Sequence, residues 1–206
     1  MAWDVFNIIG TIAFAVSGAS IAIERKYDIW GIYAFGLVTA FGGGIVRNML
    51  LILPTSLWSE SGLIKISLIS ITAVFIFPSV WFKFKKYWMV FDAIGLGAFA
   101  VQGALYVQSK GFPLSAVLIA SVLTGIGGGV IRDILATKKP LVFYDEIYAV
   151  WALLAGCVIG FGWATKPLEL YALFGCIVTL RVISVIYGWK LPHVSINRRK
   201  NFTEHS

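Results

Sequence analysis

Residues 5–50 lie on residues 90–135 at a constant shift of 85, without a gap, and 16 of the 46 positions are identical. "GTIAFAVSGA" (10–19) falls on "GLGAFAVQGA" (95–104), and "TAFGGGIVRNML" (39–50) falls on "TGIGGGVIRDIL" (124–135). Apolar bias does not readily place Gly, Phe, Thr, a glycine triplet and Arg in one register, so the chain is read as an internal duplication. Each copy holds three apolar runs, and crossing a bilayer takes about 20 such residues per run. Three is odd. The second copy therefore enters the membrane from the opposite face, related to the first by a pseudo-two-fold axis in the membrane plane.

The composition agrees with a membrane interior. Only 13% of the residues are charged and mean hydropathy is +0.85, against about 25% charge in a soluble domain. Seven runs are long enough to span: 5–23, 30–53, 63–82, 87–107, 112–136, 147–164 and 168–187. The expected fold is an all-α integral membrane protein with seven transmembrane helices, two inverted three-helix repeats plus one extra helix. A single transmembrane domain covers 1–188, with repeat one at about 4–82, repeat two at about 87–164 and the seventh helix at 168–187. A basic cytoplasmic tail follows at 189–206.

The first run does not read as a secretory signal, because Asp4 stands where a basic segment would be required. Eight tryptophans (Trp3, Trp30, Trp58, Trp81, Trp88, Trp151, Trp163 and Trp189) fall near proposed span ends, as an interfacial aromatic belt does. Cys157 and Cys176 lie inside apolar runs and read as small packing residues, with no disulfide or metal spacing. His193 and His205 belong to the tail.

The formal charge of +7 is explained by topology and not by nucleic acid. Arg25, Lys26, Lys83, Lys85, Lys86, Lys138, Lys139, Lys190, Arg198, Arg199 and Lys200 fall on one side of a seven-span chain, and only Lys110 and Lys166 on the other. By the positive-inside rule the N-terminus lies outside and the C-terminus in the cytoplasm, in a multi-pass protein of the cell membrane. Anionic lipid headgroups are then natural partners of the basic side.

The triplets Gly42-Gly43-Gly44 and Gly127-Gly128-Gly129 sit near the middle of spans two and five, each followed three residues later by an arginine, Arg47 or Arg132. Each arginine lies on the order of 5–10 Å from the midplane. A glycine triplet there permits a kink or an unwound turn whose carbonyls, lining a wet cavity, become ligands. The competing reading is close helix packing through small residues. Two triplets at mirrored depth favour a pathway. Asp133 and Asp92 are the expected partners of Arg132. The matching positions beside Arg47 are the amides Asn48 and Asn7, so fixed charge is −1 on the inner side and +1 on the outer, where Asp4 and Glu60 are the nearby acids. Ser17, Gln102, Thr39 and Thr124 add neutral oxygens to a lining, or act as interhelical hydrogen-bond partners. Arg181 reads as a snorkelling residue, and "GCVIG" (156–160) as a packing motif.

Two copies of GGG-x-x-R-[N/D], seven spans and a basic tail resemble the prokaryotic branch of the trimeric intracellular cation (TRIC) channel family. "PLVFYDEIYAVWALLAG" (140–156) is similar to that family's region after the second triplet. The resemblance covers residues 4 to about 187. It implies a homotrimer whose protomers each carry a pore lined by spans one, two, four and five, passing monovalent cations such as K⁺ or Na⁺. Asn7 and Asn48 depart from the pattern, which has aspartates there. Similar bacterial sequences are also described as small-amino-acid, glycine-type, transporters, and an inverted repeat suits that reading too. No histidine or cysteine cluster, metal motif or nucleophile–base pair marks an enzyme, and no cofactor is expected.

Overall fold

Seven long helices carry the apolar runs in a computed structural model that describes residues 2–54, 61–78, 88–144 and 147–190. They are α1 (Ala2–Glu24), α2 (Ile29–Leu50), α3 (Ser61–Ile76), α4 (Trp88–Ser109), α5 (Leu114–Leu135), α6 (Ala149–Gly160) and α7 (Pro167–Ile186), with a one-turn helix at Leu141–Tyr144. No strand occurs among the described residues. Trp58, Glu60, Trp81, Lys83, Lys85, Lys86, His193, Arg198, Arg199, Lys200 and His205 lie outside the described residues.

The starts follow from local chemistry. Asp28 caps α2 by accepting from the Gly31 N–H at 2.8 Å. Pro113 precedes α5 and Pro167 opens α7, where a missing N–H costs nothing. Glu169 turns back to accept from the N–H groups of Thr165 and Lys166 at 2.9 and 3.0 Å.

The ends show the duplication in backbone form. Lys26 (φ 58°) and its counterpart Gly111 (φ 76°) both stop a helix in the left-handed region, and so do Ile52 and Thr137, each at φ 53°. After α2 the Leu53 N–H bonds the Asn48 carbonyl, and after α5 the Lys138 N–H bonds the Asp133 carbonyl, both at 2.8 Å. This is the six-to-one closure of a Schellman end. Glycine is the usual residue there. The β-branched Ile52 and Thr137 adopt it at a cost of about 1 kcal/mol or more each.

α1, α2, α4 and α5 pack on one another at the centre, α3 lies on α1 and α2, and α6 lies on α4 and α5. α7, outside the repeats, packs on α4 and α6. The centre is self-paired across the shift of 85. Phe14 and its counterpart Phe99 meet edge-on with centroids 5.2 Å apart. Each ring occupies the space left by a glycine of the other copy: Phe99 lies over Gly10, and Phe14 over Gly95. Equivalent residues that touch each other lie on the pseudo-axis.

Two expectations are corrected here. α2 and α5 are continuous helices through both glycine triplets, so no unwound turn frees backbone carbonyls. Gly43, Gly127 and Gly128 serve the crossing of α2 over α5. A Cβ on Gly43 would stand 2.5 Å from the Thr124 carbonyl oxygen and one on Gly127 would stand 2.8 Å from the Gly43 Cα; one on Gly128 would overlap the Thr39 carbonyl oxygen. Backbone meets backbone, which only glycine permits.

The sixth run, 147–164, is also shorter as a helix than its hydropathy suggests. α6 has 12 residues, about 18 Å of helix against a hydrocarbon core of about 30 Å. It ends where Gly162 turns at φ 74°. "GCVIG" packs as expected: a Cβ on Gly156 would stand 2.9 Å from the Ser121 Cβ, and one on Gly160 would overlap the Leu114 side chain. Cys157 is half-buried, whereas Cys176 lies on the exposed face of α7 and packs little within the chain.

Candidate functional site

The two arginines after the glycine triplets occupy equivalent places on α2 and α5 and face different surroundings. Helical spacing puts Arg47 four residues beyond Gly43, so its side chain emerges beside the crossing. Its guanidinium donates from Nε to Asn48 Oδ1 at 2.9 Å and from Nη1 to Gln102 Oε1 at 3.1 Å, and its carbon stands 4.4 Å over the Tyr106 ring. Asn48 donates in turn to the Pro54 carbonyl at 3.2 Å. Asp4, an expected acid for this side, is exposed at the start of α1.

A cavity of about 60 Å³ opens beside this group. α1 contributes Trp3, Asn7 and Thr11, α2 contributes Gly44, Arg47 and Asn48, α4 contributes Phe99, Gln102 and Tyr106, and α5 contributes Thr124. Both repeats therefore line it, through spans one, two, four and five. Trp3 Nε1 and Thr11 Oγ1 are buried with no hydrogen-bond partner among the described residues. Polar groups in that condition are costly unless an occupant of the cavity engages them.

Arg132 lies at 1% exposure in a closed cluster. Nε and Nη2 donate to Asp133 Oδ1 at 3.0 and 2.9 Å, and Nη1 donates to Asp92 Oδ1 at 2.7 Å and to Ser17 Oγ at 2.5 Å. Both expected carboxylates thus meet the arginine. The repeats exchange partners: Gln102 of copy two bonds Arg47 of copy one, and Ser17 of copy one bonds Arg132 of copy two. Ser17 and Gln102 are counterparts at the shift of 85, so one interhelical bond is drawn twice.

The remaining neutral candidates divide. Thr39 and Thr124 turn their hydroxyls back to the Phe35 and Ala120 carbonyls, both at 2.6 Å. Thr124 also lines the cavity, whereas Thr39 is fully buried against Gly18 and Gly128. Asn7 lines the cavity, while its counterpart Asp92 is sealed in the cluster.

Arg181 is a correction. It does not snorkel: it is 2% exposed, with Nη2 3.9 Å from Asp92 Oδ2 and its guanidinium carbon 4.3 Å over the Tyr148 ring. Its charge joins the Arg132 side, where Arg132 and Arg181 now face Asp92 and Asp133. Among the described residues these two positive and two negative groups sum to zero, in place of the −1 counted from the sequence. Tyr106, Tyr148, Trp3 and Thr11 were not expected at the site. The signal for Phe14 and Phe99 was present, since both stand at an identity of the repeat.

Among the described residues five helices, α1, α2, α4 from Met89, α5 and α7, are long and apolar enough to cross a membrane. With the inverted repeat they define an all-α, multi-pass membrane protein whose polar site lies where its two halves cross. The family described as Glycine transporter matches residues 4–79 and 89–164, one match per repeat. The UPF0126 membrane protein YvgT of Bacillus subtilis (strain 168) is 54% identical over 197 residues, spanning 95% of this chain and 98% of that protein. YadS, a UPF0126 inner membrane protein of Escherichia coli (strain K12), is 33% identical over 93% and 95%. A structure solved for conductance through TRIC cation channels superposes with a TM-score of 0.82 at 35% identity, covering 97% of this chain and all of that one. A prokaryotic TRIC channel crystallised in 0.5 M KCl gives 0.82 at 34%, over 92% and 98%. The chain belongs to the TRIC family, and its relatives include the UPF0126 membrane proteins.

Proposed function

We propose that this protein is a K⁺-permeable cation channel and not an enzyme, with one pathway inside each protomer of a homotrimer, at the interface of its inverted repeats. The observation that carries the reading is the cavity walled by α1, α2, α4 and α5 and reaching Thr124 and Phe99 at the helix crossing. Asn7, Thr11 and Thr124 supply neutral oxygens to a partly dehydrated cation, and Arg47 is held to the wall by Gln102, Asn48 and the Tyr106 face. On the other side of the crossing, the buried, hydrogen-bonded cluster of Arg132, Asp92, Asp133 and Ser17 closes the route. Opening then requires those charge-assisted bonds to part, because a buried ion pair leaves no room for water. The transmembrane domain spans 1–188, with the cavity toward the outside and the basic tail in the cytoplasm, as the distribution of Lys and Arg supports.

The solved TRIC structures, named as cation channels, support permeation. A second reading, a small-amino-acid transporter, draws on the family description and on a cavity sealed at one end, which is the form of an alternating-access carrier. Rate separates them. Purified protein in a planar bilayer with K⁺ on both sides is expected to give stepwise, voltage-driven currents. Silent bilayers, together with saturable glycine uptake into vesicles, would assign the carrier instead.

A further inference from the structure

We infer that Arg181, on the helix outside the repeats, is the positioning and charge-setting residue for Asp92, and so fixes the electrostatics of the sealed half of the pathway. This rests on the channel reading above. Asp92 divides its two oxygens between two arginines: Oδ1 takes Arg132 Nη1 at 2.7 Å, and Oδ2 faces Arg181 Nη2 at 3.9 Å. The Arg181 guanidinium carbon in turn stands 4.3 Å over the ring of Tyr148, which is 3% exposed. The Tyr148 hydroxyl stands 3.1 Å from the point where a Cβ on Gly129 would lie, so the third glycine of the second triplet leaves room for this wall.

The sequence asymmetry acquires a cause. Copy one has Asn7 where copy two has Asp92. An acid at bilayer depth is tolerable only beside enough positive charge. In copy two a seventh helix brings a second guanidinium, and among the described residues the four groups Arg132, Arg181, Asp92 and Asp133 sum to zero. Without Arg181 the sum would be −1, and Asp92 would lose the contact behind it. The two bonds of Asp92 also differ in strength. A 2.7 Å hydrogen bond holds firmly, whereas 3.9 Å is the outer edge of an ion pair, so the Arg181 side yields first. Arg181 therefore acts through Asp92 and touches no permeating ion in this arrangement.

Charge-balancing variants test this. Arg181→Met preserves length and apolar packing and removes the charge. In bilayers its K⁺-over-Cl⁻ permeability ratio, and its unitary K⁺ conductance at low ionic strength, should rise on the order of tenfold, because an uncancelled carboxylate in a low-dielectric channel concentrates cations. Arg181→Lys should stay near wild type. The double variant Asp92→Asn with Arg181→Met, which restores a sum of zero, should return toward wild type although it is twice altered. A residue that is only structural would not give that pattern of signs. A ratio within twofold of wild type in folded Arg181→Met, or a double variant no closer to wild type than the single, would overturn the inference. If wild-type protein carries no current, the channel reading fails on its own. Melting temperatures in detergent then judge the clamp: Asp92→Asn should remove most of the loss caused by Arg181→Met, and strictly additive losses would refute it.

Discussion

Arg132→Ala is expected to cost the fold about 3–5 kcal/mol, the loss that follows when one partner of a buried ion pair is removed. Four hydrogen bonds from one guanidinium go at once, to Asp133, Asp92 and Ser17. Asp92 and Asp133, at 1% and 4% exposure, are then left buried without the guanidinium that pairs them. Arg132→Lys should recover only part of the loss, since an ammonium cannot reproduce the planar fork that serves three partners. Arg47→Ala should be far milder, about 1–2 kcal/mol, because Arg47 borders a cavity that water can fill and its amide partners remain solvable there. Melting temperatures of the three variants in one detergent decide it. Equal losses for Arg47→Ala and Arg132→Ala would show that the two halves are energetically alike, contrary to the geometry.

Gly128→Val should prevent folding outright, and Gly43→Ala should destabilise by about 2–3 kcal/mol, within the range found for overpacked interiors. In both cases the obstacle is backbone: the Thr39 carbonyl oxygen at Gly128 and the Thr124 carbonyl oxygen, 2.5 Å away, at Gly43. A carbonyl inside a helix cannot rotate aside, so α2 and α5 would have to separate along their crossing. Gly44→Ala provides the contrast. Among the described residues its Cβ would find only Arg47 Nη2, at 3.9 Å. Size-exclusion profiles and melting temperatures should therefore split one triplet into an intolerant member and a tolerant one. Equal tolerance at Gly43 and Gly44 would refute the crossing as described.

How far the sequence reached depended on whether a residue's partner was local or distant. The duplication was legible because its identities concentrate where helices touch. Gly10 and Gly95, Gly18 and Gly103, and Gly43 and Gly128 each pack equivalently in the two copies. The pairing of Arg132 with Asp133 and Asp92 was legible because one acid is its neighbour and the other lies one span away at similar depth. What the triplets do was not. Glycine permits both an unwound turn and a close crossing, and the choice belongs to the facing helix. Arg181 was misread for a similar reason: on its own helix it is a lone cation near an end, and its partner Asp92 is 89 positions earlier. Hydropathy overestimated α6 because apolar residues continue past Gly160 into a turn. The left-handed ends at Ile52 and Thr137 carry no glycine to announce them.

The central claim, that ions pass through the cavity between the repeats of a single protomer, is tested most directly by a thiol placed in its wall. Gly44→Cys puts a small side chain into open space beside Arg47, in a background where Cys157 and Cys176 are replaced by alanine. During single-channel recording, a bulky thiol-specific reagent added from the outer side should reduce the unitary current in steps, one per modified protomer, and a reducing agent should restore it. Full modification, verified by mass, with an unchanged unitary current would place the conducting route elsewhere.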